Sequence, residues 1–140
     1  MPLQNYVIQF IIEHGKPQDR ALVISKLRGH LLELARHKFA SNVCEKALVS
    51  SDAETRRTLV DEFLVPKTEG AAPVPALMKD QFGNYVLQRA VMVADADQRE
   101  RLIVIIRGQI PTMRRYSSAY NKHLLSTIIT LSWKATLPSA

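Results

Sequence analysis

"NYVLQR", residues 84–89, nearly repeats "NYVIQF", residues 5–10, and "SNVCEK", residues 41–46, has the same shape in other letters. Each phrase runs from a small polar residue to a larger planar one, two apolar residues, and an amide or acid. The leading residues Asn5, Ser41 and Asn84 are 36 and then 43 residues apart. A degraded fourth copy, "YNKHLLS" at 120–126, lies 38 residues beyond "FGNYVLQ" at 82–88. Behind the first three phrases comes a second amphipathic segment: Gln18 to Leu27, Ala53 to Leu64 and Asp97 to Ile106. Helical units at this spacing predict a solenoid, in which each unit buries its apolar face on its neighbours.

On a helix turning about 100° per residue, the fifth residue of the phrase lies about 40° from the first, one turn along. The apolar stripe falls elsewhere: Val7, Ile8, Ile11 and Ile12; Val43, Cys44, Ala47 and Leu48; Val86, Leu87, Ala90 and Val91. The triplets Asn5/Tyr6/Gln9, Ser41/Asn42/Glu45 and Asn84/Tyr85/Gln88 are expected to project from the opposite side, as a ladder along one surface. Starts and stops fit helices throughout. Ser51 with Glu54 matches a capping box and Asp95 with Gln98 a weaker one. Gly15 with Pro17 marks a helix end and a new start. No alternating strand pattern occurs. One loop is expected, "VPKTEGAAPVP" at 65–75, with three prolines and a glycine.

The 140 residues suffice for one domain, and 46% hydrophobic with 23% charged residues is ordinary for a globular protein. No run approaches the roughly 18 apolar residues of a membrane span. The start lacks the pattern of a signal peptide. With its single cysteine, Cys44, the chain cannot form an internal disulfide. A cytoplasmic protein without membrane association is the expectation. The net charge is +6, and residues 101–140 carry Arg101, Arg107, Arg114, Arg115, Lys122 and Lys134 with no acid. Such a basic end suits a polyanion. His14, His30, His37 and His123 have no metal-ligand spacing, and Glu45 has no nucleophile beside it. No enzyme activity, metal or cofactor is expected.

"HKFASNVCEKAL" and "KDQFGNYVLQRAV" strongly resemble the repeats of the Pumilio (PUF) family. "NYVIQFIIEHG" resembles the preceding repeat, and "RRYSSAYNKHLL" the family's C-terminal cap. The resemblance implies an all-α superhelix of three-helix repeats that binds single-stranded RNA on its concave face, one base per repeat. It divides the chain into a partial repeat at 1–28, a repeat at 29–64, the loop at 65–75, a repeat at 76–107 and the cap at 108–140. In that family Asn/Gln with Tyr marks a uracil repeat and Ser/Glu with Asn a guanine repeat. Asn5, Gln9, Ser41, Glu45, Asn84 and Gln88 would meet base edges. Tyr6, Asn42 and Tyr85 would stack between bases, and His123 would touch an RNA end. The triplets then read 5′-UGU-3′, with the Asn84 repeat on the 5′ base, implying control of mRNA through the 3′ UTR. The chemistry agrees: a carboxylate accepts from two donors on the guanine edge, and amides donate to uracil carbonyls.

The chain starts at the base-reading helix of its first repeat, with Leu3-Gln4 where later copies have Phe39-Ala40 and Phe82-Gly83. The expectation is a domain truncated at its N-terminus. Apolar surface at Ile8, Ile11, Ile12, Leu22 and Leu27 would then be open to self-association. The resemblance also implies protein partners at the 65–75 loop and the convex face. The alternative reading is a protein-binding solenoid, or a PUF-like ribosome-assembly factor that binds nucleic acid without a base code; the U-G-U ladder favours the first reading.

Overall fold

The computed structural model describes residues 2–113 and residue 126, with side chains for 6–111 and 126. Among these, every regular element is a helix: α1 (Pro2–His14), α2 (Pro17–Leu27), α3 (Leu31–Leu34), α4 (Ala40–Ser50), α5 (Ala53–Leu64), α6 (Pro73–Met78), α7 (Gly83–Val93) and α8 (Ala96–Met113). The expected all-α repeat architecture is present. Each of the units α3–α5 and α6–α8 has a short helix, a helix bearing the repeated phrase and a second long helix. α1 and α2 supply the last two of these for the unit before.

The phrase-bearing helices stack side by side, α1 on α4 and α4 on α7, and α5 packs on α8 behind them. The apolar stripe drives this arrangement. Val43, Cys44, Ala47, Leu48, Val86, Leu87, Ala90 and Val91 are all buried, with Leu59, Val60, Phe63, Leu102 and Ile106 facing them from the second row. A fully buried aliphatic or aromatic side chain contributes about 1.5–3 kcal/mol relative to exposure, so this stripe outweighs any surface pair in the molecule. The first repeat departs from expectation. Ile12 and Leu27 are buried and Ile8 packs partly on the core, while Tyr6, Val7, Phe10 and Leu22 are exposed. Ile12 and Leu27 join the core because α1 lies on α4 and α2 lies on α1.

Three boundaries differ from the sequence reading. The cap of α5 is Asp52, not Ser51: its Oδ1 accepts from the Thr55 amide at 2.7 Å. A full charge at the positive end of a helix dipole outcompetes a hydroxyl, and the bond holds the Asp52 carboxyl below its ordinary range. Ser51 instead ends α4, buried, its amide bonded to the Ala47 carbonyl. Secondly, the loop ends at Ala72, because Pro73 and Pro75 stand in the first turn of α6, where a missing N–H costs nothing. Thirdly, α8 continues to Met113 through Pro111 rather than ending near Ile106. Asp95 does cap α8, its Oδ1 accepting from the Gln98 amide at 2.8 Å. The Gln98 side chain does not reach back. It donates across to the Arg57 carbonyl and Asp61 Oδ1 of α5, both at 2.8 Å, tying the second-row helices together.

An arginine recurs at the repeat spacing. Arg56 donates to the carbonyls of Leu48, Val49 and Ser51 at 2.8, 3.0 and 2.7 Å, and Arg99 to those of Val91, Met92 and Ala94 at 3.0, 2.9 and 3.2 Å. Each second helix thereby closes the orphan carbonyls at the end of the helix before it. Arg20, 36 residues before Arg56, holds only the Gly15 carbonyl at 3.5 Å. Arg56→Ala or Arg99→Ala should each cost about 1–3 kcal/mol in denaturant unfolding, from three bonds to one charged group, and Arg20→Ala less than either. Equal losses at all three positions would show that the bonds do not carry the effect.

Candidate nucleic-acid interface

The helices α4 and α7 begin with different local chemistry. Before α7, Asp80 turns its carboxylate back, and Oδ2 accepts from the amides of Phe82 and Gly83 at 2.9 and 2.6 Å. Arg36 of the preceding repeat sits 3.6 Å from Asp80 Oδ1. A Cβ at Gly83 would meet Leu77 Cδ2 at 2.7 Å, so the glycine lets the start of α7 lie close against Leu77 of α6. Before α4, His37 stands in place of Asp80, and Lys38 lies over the Phe39 ring, 5.5 Å from its centre.

The leading residue of the phrase is not on the exposed side. Ser41 is 5% exposed and Asn84 0%. These residues keep the expected wheel angle, but they sit in the first turn, where the preceding segment folds over them. Ser41 Oγ donates to the Lys38 carbonyl at 3.2 Å. Asn84 Nδ2 donates to the carbonyls of Asp80 and Gln81 at 2.8 and 3.1 Å, and its Oδ1 accepts from Gln88 Nε2 at 3.2 Å. Asn84 therefore locks the helix start and orients Gln88. Asn5 lies in α1, but its side chain is outside the described residues, as is the whole of His123.

The second and fifth residues do face outward. Tyr6 is 72% and Tyr85 46% exposed, and Asn42 is exposed. Gln9, Glu45 and Gln88 are half-buried beside them. Three adjacent helices thus present a planar group and a polar group at equivalent positions. Planar side chains offer faces for stacking, and the polar residues offer edges for hydrogen bonds.

Two charges that the sequence reading missed complete the surface. Arg89 Nε of α7 lies 3.6 Å from Glu45 Oε1 of α4, and Lys46 of α4 pairs with Glu13 of α1. Burial raises the Glu45 carboxyl above its ordinary range, opposed by Arg89 and then Lys46. Glu13 moves the other way, lowered chiefly by its bond to Lys46. Arg89 and Lys46 both occupy the sixth place of the phrase. That shared position was readable, but their partners lie one helix back, which no local pattern shows.

A family model described as the Pumilio-family RNA binding repeat matches residues 5–28, 30–64 and 74–107. The chain is 40% identical over 124 residues to Pumilio homolog 4 of Arabidopsis thaliana, covering 89% of this chain and 12% of that protein. It is 29% identical over 111 residues to the mRNA-binding protein PUF3 of Saccharomyces cerevisiae, covering 74% and 12%. A solved structure of PUF-8 in complex with PBE-RNA superposes with a TM-score of 0.78 at 33% identity, over 90% of this chain and 36% of that one. The chain therefore spans only a small part of these curated relatives. Among the described residues no helix is long and apolar enough to cross a membrane.

Glu45 gives a test of site against scaffold. A carboxyl raised by burial stabilises the fold most below its unfolded pKa, and that contribution is lost as pH rises through the folded value. At neutral pH the charged form is a cost, offset weakly by a half-exposed partner. Glu45→Gln should therefore leave the thermal midpoint at neutral pH unchanged or higher. A clear fall would make the carboxylate a structural element.

Proposed function

This chain belongs to the Pumilio family of RNA-binding repeat proteins, and from that membership we propose that it binds single-stranded RNA across α1, α4 and α7, reading a 5′-UGU-3′ core. The observation that carries this reading is the row of exposed Tyr6, Asn42 and Tyr85 on three helices packed side by side. Bases would stack between these groups, and each base edge would meet the residue one turn on. Gln88 and Gln9 suit uracil, and the carboxylate of Glu45 suits the paired donors of guanine. Asn84 acts on its uracil chiefly by holding Gln88, given where its own donors point.

A biological role in mRNA control, in the cytoplasm, is part of the same proposal. The role in mRNA control is supported by the relative named as an mRNA-binding protein and by the solved neighbour bound to RNA.

RNA carrying UGU should bind this chain more tightly than RNA carrying UAU at the same place, by about 1–3 kcal/mol, when both are measured at one salt concentration. Equal affinities would remove the base-reading assignment. Tyr85→Ala should weaken both RNAs together by about 1–3 kcal/mol, since stacking is indifferent to the base edge. Loss of discrimination without loss of affinity in that variant would place Tyr85 elsewhere than between bases.

A further inference from the structure

Base reading in a repeat protein suggests that each base depends on its own repeat. The junction between α4 and α7 departs from that independence. Glu45 belongs to the α3–α5 unit, yet its partner, Arg89, belongs to the next unit. We propose that Arg89 is a positioning residue for the guanine preference of the preceding repeat: it reaches back across the helix junction, keeps the Glu45 carboxylate charged and fixes how it is turned. This inference rests on the base-reading assignment given above and adds the residue that makes it work.

Geometry favours this role. Arg89 Nε approaches Oε1, one oxygen of the two. A guanine edge needs a charged carboxylate whose oxygens lie in the plane of the base, because it offers two parallel N–H donors. Without a cation beside it, a half-buried carboxyl holds its proton more firmly and is freer to rotate, and either change works against that plane. The charged groups around Glu45 are few. Arg89 approaches from α7, Lys46 lies beside it on α4, and Glu13 on α1 already engages Lys46. Arg89 is thus the cation whose partner is Glu45 itself.

The device also has an internal contrast. Lys46 stands at the same repeat position as Arg89 and likewise reaches one helix back. Its target, Glu13, lies a full turn past the outward-facing Gln9, away from the proposed base edge. Among the described residues this reach-back occurs at both junctions, α1–α4 and α4–α7, and at α4–α7 it lands on a proposed base-reading residue.

The test measures affinities of the full chain for UGU and UAU RNAs across pH, for the parent protein, Arg89→Gln, Arg89→Lys, Glu45→Gln and the Arg89→Gln/Glu45→Gln double variant. Arg89→Gln should lower the guanine preference about three- to tenfold at neutral pH. The acid limb on which that preference disappears should shift to higher pH, because the remaining carboxyl holds its proton more firmly. Arg89→Lys should restore most of both properties. In the Glu45→Gln background, Arg89→Gln should cause no further loss of preference. If the parent protein shows no preference for UGU over UAU, the base-reading assignment itself fails. If the parent discriminates but Arg89→Gln leaves the preference and its pH profile intact, the positioning role fails alone. Equal weakening of both RNAs with an unchanged profile would make Arg89 a phosphate contact and overturn the proposal.

Discussion

The close side-by-side packing of α1, α4 and α7 governs both the scaffold and the surface it presents. α4 carries Cys44 and Ala47 on its buried stripe and α7 carries Ala90, small residues that suit closely packed helices. Burial pushes the Cys44 thiol up to about 12, so it is a packing residue and not a nucleophile. Once the stripe is buried, the angle of each helix is set. The second and fifth residues of the phrase must then face out in register. The site is a by-product of the core, repeated because the core repeats.

The repeat itself was legible because it is written in local periodicity. The phrase, the second helix behind it and the bounds of α5 all derive from apolar spacing and turn residues. Three things were not legible, for related reasons. A helical wheel gives an angle but not what lies over the helix end, so Ser41 and Asn84 look outward-facing in sequence although the preceding turn covers them. A capping pattern gives two adjacent candidates, and Asp52 prevails over Ser51 through charge, which a pattern match does not weigh. The recurring arginines Arg20, Arg56 and Arg99 keep the repeat spacing, yet in sequence they look like surface charge. Only the fold shows guanidiniums directed at carbonyl ends.

Electrostatics separates scaffold from site. Asp52, Asp80 and Asp95 each accept backbone N–H bonds at a helix start, so their charges are used locally. Glu45 accepts no such bond, sits half-buried, and has its carboxyl raised. Under the proposed reading, the acid that a chain of net charge +6 carries on this face serves recognition rather than folding.

The two described units also differ in how far each is complete in itself. In the α7 unit, Asn84 holds Gln88 directly, one turn away on the same helix; under the proposed reading that side chain is oriented before any base arrives and loses less freedom on binding. In the α4 unit, Ser41 is too short to do this. Its hydroxyl is bonded to its own preceding turn, and the charge beside Glu45 comes from Arg89 of the neighbouring helix. Under the proposed reading, exchanging a whole uracil-type unit into another position would carry its preference along. Exchanging the guanine-type unit would not, unless the following helix brought a cation at the place of Arg89. Repeats that look interchangeable in sequence are thus unequal in physics, because one is oriented from within and the other through its junction.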